Sequence, residues 1–107
     1  MSDDVTLIYV TAPDVAAAQA IGRAIVAERL AACANILPGM QSLYWWQGKL
    51  EAASEAVLIL KTVVGSAERV IARVRALHSY EVACAIALPV SVGNPDYLAW
   101  IRAEARG

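Results

Sequence analysis

From Val5 to Thr11 the chain runs through β-branched and aromatic residues, the composition of a strand, and Ala12-Pro13-Asp14 then breaks the run. Asp14 places a carboxylate where the N-terminal end of a helix favours negative charge. The next residues, Val15 to Ala32, are strong helix formers. Ala17, Ile21, Ala24, Ile25 and Ala32 fall near one face and Gln19, Arg23 and Arg29 largely elsewhere, so the spacing predicts a helix over 15–32. Cys33 to Trp46 is strand-like again but carries Pro38-Gly39 in its middle. Proline has no N–H for a ladder, which predicts an edge strand with a kink or bulge there. Gln47-Gly48 is a two-residue turn signal leading into Lys49–Val63, and the two segments together predict a hairpin. Gly65-Ser66 opens a second helix, with Ser66 as its N-cap, apolar residues at helical spacing from Ala67 to Leu77, and an end near His78. Val82 to Val90 predicts a last strand, which also holds a proline, Pro89. Asn94 and Pro95 then supply the cap and first-turn proline of a short terminal helix through Trp100.

The resulting order is β-α-β-β-α-β with an added C-terminal helix: an α+β chain on the ferredoxin-like plan, with one antiparallel sheet. In that plan the second and fourth strands are edges, and these are the two that carry Pro38 and Pro89. Two helices cover only one face of a four-stranded sheet. Adjacent strand residues point to opposite faces, so Tyr44, Trp45 and Trp46 cannot all lie beneath helices, and Val57-Leu58-Ile59-Leu60 is apolar on both sides. The second face needs cover, and further copies of the same chain are the economical source of it. Tyr44, Trp45 and Trp46 are accordingly the candidate interface residues, although aromatics in this position can also line a ligand cleft.

Composition sharpens this picture. A length of 107 residues suits one domain, spanning 1–107. Hydrophobic residues reach 59% while charged ones make up 18%, a shortage of polar surface that a lone monomer would feel. The longest charge-free stretch, Leu30 to Gly48, is interrupted by Asn35, Pro38, Gly39, Gln41 and Ser42 and reads as strands and turns, so no membrane partner is expected. Nine basic and ten acidic residues, spread along the chain, form no basic stripe, and nucleic acid is not an expected partner. The start Met-Ser-Asp-Asp lacks the basic region and cleavage site of a secretory signal, which predicts a cytoplasmic protein whose two cysteines, Cys33 and Cys84, stay unpaired.

Chemistry is sparse. The candidate metal ligands are Cys33, His78 and Cys84, with Glu81 nearby, yet no CxxC or HxxxH spacing draws them to one centre. Cys33 among Ala and Ile also reads as a core thiol, and His78 as a cation on the last carbonyls of its helix. One histidine, no Ser-His-Asp spacing and no paired carboxylates leave no acid, base or nucleophile to name, so no enzyme is expected. Neither GxxxxGK[ST] nor GxGxxG occurs. Lys61, a charge inside an apolar strand, and Glu81, a carboxylate in a short loop, are candidates for an intersubunit ligand cleft; either can equally mark a strand end reaching solvent.

Six segments stand out together: 9–14 (Tyr-Val-Thr-Ala-Pro-Asp), 28–39 (Glu-Arg-Leu-Ala-Ala-Cys-Ala-Asn-Ile-Leu-Pro-Gly), 42–49, 58–62, 78–81 (His-Ser-Tyr-Glu) and 93–98. Along nearly the whole chain they resemble the CutA family of divalent-cation tolerance proteins. The resemblance implies a homotrimer joined through its sheets, architecturally similar to PII-type nitrogen-signalling proteins. It also implies copper or other divalent metal ions as partners and a response to metal ion, with no obligatory cofactor. Two departures stand out: Ser79 follows His78 where that family typically has proline, and Ala83-Cys84 stands where Pro-Glu is expected. A ligand role for that glutamate does not carry over, and Cys84 brings a thiolate that suits Cu(I) or zinc better than a carboxylate does. The competing expectation is a non-enzymatic, PII-like sensor or scaffold that binds a small anionic metabolite between subunits.

Overall fold

In the computed structural model, which describes residues 3–106, four strands form one sheet in the order β2-β3-β1-β4, every neighbouring pair antiparallel. The strands are β1 (Val5–Ala12), β2 (Cys33–Trp46), β3 (Lys49–Val63) and β4 (Ala85–Pro89), and the helices are α1 (Val15–Ala27), α2 (Ala67–Leu77) and α3 (Pro95–Glu104). The two proline-bearing strands are the edges, where a missing N–H costs no ladder bond. Pro38-Gly39 lies in the register shift between Leu37 and Met40, with Gly39 at φ 74°, a left-handed conformation that glycine adopts without strain. Gln47 and Gly48, both at positive φ, close the β2–β3 hairpin as a two-residue turn matched to the twist of its strands.

Side chains alternate between the two faces as a pleated sheet requires. Thr6, Ile8, Val10 and Ala12 of β1 and Ala56, Leu58, Leu60 and Thr62 of β3 are buried beneath α1 and α2, whose Ala18, Ile21, Ile25, Val70 and Val74 complete the core. A Cβ on Gly22 would stand 3.1 Å from both the Ala34 Cβ and the Leu58 Cδ1, so the missing side chain is what lets α1 lie close on the sheet. The opposite face is only partly covered. Tyr97 of α3 meets Lys61 there, and beyond that contact Leu37, Ile86 and Leu88 stay exposed.

Residues 40–46 and 49–55 pair only with each other, because β1 stops at the Ala12–Ala56 pair. The hairpin therefore projects as a two-stranded arm from a molecule 44 Å long and 25 by 22 Å across. Apolar side chains crowd the arm in spite of its exposure: Leu43 is 77% and Trp45 73% accessible, with Leu50, Tyr44 and Trp46 also on the surface.

Four local expectations need correction. α1 ends at Ala27 and not at Ala32, because Arg29 takes φ 64° and the chain closes the helix with Arg29 N–H on the Val26 carbonyl and Leu30 N–H on that of Ile25. The chain then turns toward the sheet, where the Ala32 N–H reaches the Lys61 carbonyl. Ser66 is not a side-chain cap: it ends a single 3-10 turn, and its Oγ accepts from Arg69. β4 begins at Ala85 instead of Val82, and α3 runs past Trp100 to Glu104. Asp14 and Asn94 do cap, accepting from the N–H groups of Ala17 and Asp96 at 2.8 and 3.0 Å.

Candidate functional site

Between the foot of the arm and the loop that leads from α2 into β4 lies a cleft of about 900 Å³. Residues 41–46 of the arm all line it, and the register of the hairpin sets which of them share a face with Glu55. Ser42, Tyr44 and Trp46 share a face with Glu55, since alternate residues of paired strands stay on one side, and Thr11 continues that face onto β1. Across from them stand Tyr80, Glu81 and Cys84 of the loop.

His78 holds the loop in place. The chain leaves α2 at this residue with extended backbone, and the ring turns in so that only 9% of the residue is accessible. Its Nδ1 accepts the Tyr80 N–H at 3.0 Å, which leaves Nε2 to donate to the Thr11 carbonyl at 2.7 Å. Both nitrogens are thus engaged. The Tyr80 ring packs 4.7 Å from the imidazole, and its hydroxyl donates to Glu55 Oε2 at 2.8 Å. Burial, and after it the hydrogen bond to Glu55, pushes the Tyr80 hydroxyl up to about 12. Glu55 is itself only 8% accessible. Its Oε1 accepts no hydrogen bond from any other described residue and is open to the cleft.

The residues singled out from sequence do not converge. Cys33 pairs across the ladder with Lys61, which pairs with Leu7, whereas Cys84 precedes the Ala85–Val10 pair on the other edge. Both thiols are free and partly exposed. Among the described residues no group of three or more His, Cys, Asp or Glu side chains is placed to hold a metal ion, and His78 has no lone pair to spare. Lys61 and Glu81 are also apart: Glu81 lines the cleft, but Lys61 sits at the Leu7 level of β1, four residues or about 13 Å along the strand from Thr11. There Nζ donates to the Tyr97 hydroxyl at 2.9 Å and lies 5.1 Å from that ring's centroid. Sequence reasoning missed Glu55 and Tyr80. The only signal for Glu55 was an acid standing directly before the apolar run Ala56–Leu60, in a strand with little room for charge.

A model of the family described as CutA1 divalent ion tolerance protein matches residues 6–104. The chain belongs to that family. It is 43% identical over 103 residues to the divalent-cation tolerance protein CutA of Salmonella newport, covering 96% of this chain and 90% of that one. A chloroplastic CutA 1 protein of Oryza sativa is 41% identical over 100 residues, covering 94% of this chain, which spans 56% of the longer rice protein. Among solved structures, CutA from Xylella fastidiosa superposes with TM-score 0.92 at 49% identity, covering 95% of this chain and 98% of that one. A periplasmic divalent cation tolerance protein CutA from Archaeoglobus fulgidus does so with TM-score 0.92 at 38% identity, covering 95% and 99%. Family membership accounts for the sheet, the helices and the projecting arm together.

Proposed function

We propose that this chain is a non-enzymatic divalent-cation tolerance protein that works as a cytoplasmic homotrimer and binds soft or borderline cations, copper among them, weakly through thiolate. The observation that carries the reading is the apolar arm together with the half-covered sheet face. A two-stranded ribbon is at best marginal by itself, and one with exposed Leu43, Trp45 and Leu50 needs a partner surface. Family membership supports cation tolerance as the role. Two partly exposed, unpaired thiols support a reducing compartment and supply soft donors.

Within one protomer these donors do not fit a resident metal centre, because no three of them meet among the described residues. A bound cation then completes its shell from water or from another copy, which makes binding weak and dependent on pH. Equilibrium dialysis against copper and zinc, with Cys33→Ser and Cys84→Ser chains that sediment like the parent, tests this. Thiolate ligation requires that affinity fall as pH drops, since protons compete for sulfur, and that a thiol-blocking reagent abolish binding. Stoichiometric binding that survives both replacements removes the thiolate site.

A further inference from the structure

We propose that the cleft at the foot of the β2–β3 arm is a binding site for a small organic cation, an alkylammonium or guanidinium group on a short apolar stem. The proposal goes beyond cation tolerance: Cys84 lines the same cleft, but the group that selects the ligand is Glu55 and not a thiol.

Four observations select this ligand class. First, Glu55 is more than nine-tenths buried, yet only Oε2 has a partner, the Tyr80 hydroxyl, while Oε1 opens into the cleft. Oε1 keeps solvent access and has no protein partner, so it is a free acceptor that a cationic or hydrogen-bonding group entering the cleft can meet. Second, the cleft contains a second carboxylate, Glu81, and no Lys, Arg or His among its described lining residues. An anionic ligand would meet two like charges and no counter-charge. The Tyr80 hydroxyl is already committed to Glu55 and is not free to donate to an anion. Third, a tightly held metal ion requires several donors converging at bonding distance, and within one protomer no group of three or more described residues does so. Fourth, the walls include Tyr44, Trp46, Tyr80 and Val82. Aromatic faces attract organic cations by cation–π interaction, and the apolar stem of such a ligand is buried against them at the same time. A neutral apolar ligand would use the walls and leave the Glu55 carboxylate without a counter-charge, so charge on the ligand is what the site discriminates.

Isothermal titration of the full chain in its native assembly tests this with n-butylammonium and n-butylguanidinium, beside n-butanol and butyrate as neutral and anionic counterparts of similar shape. Both cations are expected to bind saturably, about tenfold or more tighter than butanol, a ratio in the range of a charge-assisted hydrogen bond, with butyrate weakest of the four. Glu55→Gln is expected to bring the cations down to the level of butanol, and Trp46→Leu to weaken the cations more than butanol. The proposal is overturned if neither cation binds saturably, whether because the cleft is unused or because a basic side chain of a second copy already fills it. It is equally overturned if butanol or butyrate binds as tightly as the cations. A Glu55→Gln chain that sediments like the parent and keeps the cation preference also refutes it. The preference among the four ligands on the unaltered chain decides the matter even where a variant fails to fold.

Discussion

His78 was readable from sequence as a metal ligand or as a cation near helix carbonyls, and its geometry serves neither role. With Nδ1 accepting the Tyr80 amide and Nε2 donating to Thr11, the ring works as a neutral two-ended brace between β1 and the loop before β4. The brace fixes Tyr80, whose hydroxyl reaches Glu55. This chain of contacts has a measurable consequence at alkaline pH. The Tyr80 hydroxyl rises from 10.0 to about 12, burial being the larger cause and the Glu55 carboxylate the next. Folding thus favours the protonated phenol. The resulting stability is fully present below pH 10, and it is lost as pH rises toward 12, because the unfolded chain releases this proton first. A series of urea midpoints is expected to fall more steeply across that window for the parent than for Tyr80→Phe, and the near-ultraviolet difference spectrum of the two is expected to show a late phenolate step. Parallel pH profiles for the two chains would mean that Tyr80 is not held against Glu55.

At the scale of elements, the legible parts were those in which local chemistry leaves one solution. Pro38 and Pro89 cannot donate to a ladder, and their strands are the edges; Asp14 and Asn94 precede helices and cap them. Where two local solutions compete, sequence pattern misleads. Residues 28–32 are helix formers and continue the periodicity of α1, but the helix is closed by backbone hydrogen bonds that need a left-handed residue, and an arginine occupies that position. Tertiary demand decides it, since Ala32 must reach the Lys61 carbonyl and the Leu30 carbonyl must meet the Thr62 hydroxyl. Arg29→Ile and Arg29→Gly both remove the ion pair with Glu104, so comparing them isolates the backbone. A β-branched residue at positive φ costs about 1–2 kcal/mol, and the freer unfolded chain of the glycine variant offsets part of the difference. Urea unfolding is expected to place Arg29→Ile below Arg29→Gly by about 1 kcal/mol. Equal stabilities would show that the helix continues through Arg29.

For the whole molecule, the need to cover a second sheet face was legible from Tyr44-Trp45-Trp46 and the doubly apolar Val57–Leu60, whereas the cleft was not. Glu55 and Tyr80 lie on separate elements, and only the ladder register and the fold of the His78 loop bring them together. The same register produces the arm, whose role a charge reversal can isolate. In a single chain Trp45 is 73% accessible and Arg23 is also exposed, so replacing either with glutamate removes no buried contact and strands no charge within that chain. Any large penalty specific to Trp45→Glu must therefore come from a second copy packed over the arm. An unpaired charge in such an interface costs about 3–5 kcal/mol by analogy with broken buried pairs, whereas a solvent-facing change stays within about 0.5 kcal/mol. Sedimentation equilibrium at micromolar concentration is expected to find the parent and Arg23→Glu as trimers that dissociate only on unfolding, and Trp45→Glu dissociated or insoluble. Trp46→Glu, on the face of the arm that carries Glu55, tests how far that contact extends: a dissociated chain assigns Trp46 to the interface as well, and an intact trimer leaves its ring to the cleft. If all three variants sediment and unfold like the parent, the arm does not hold the assembly together.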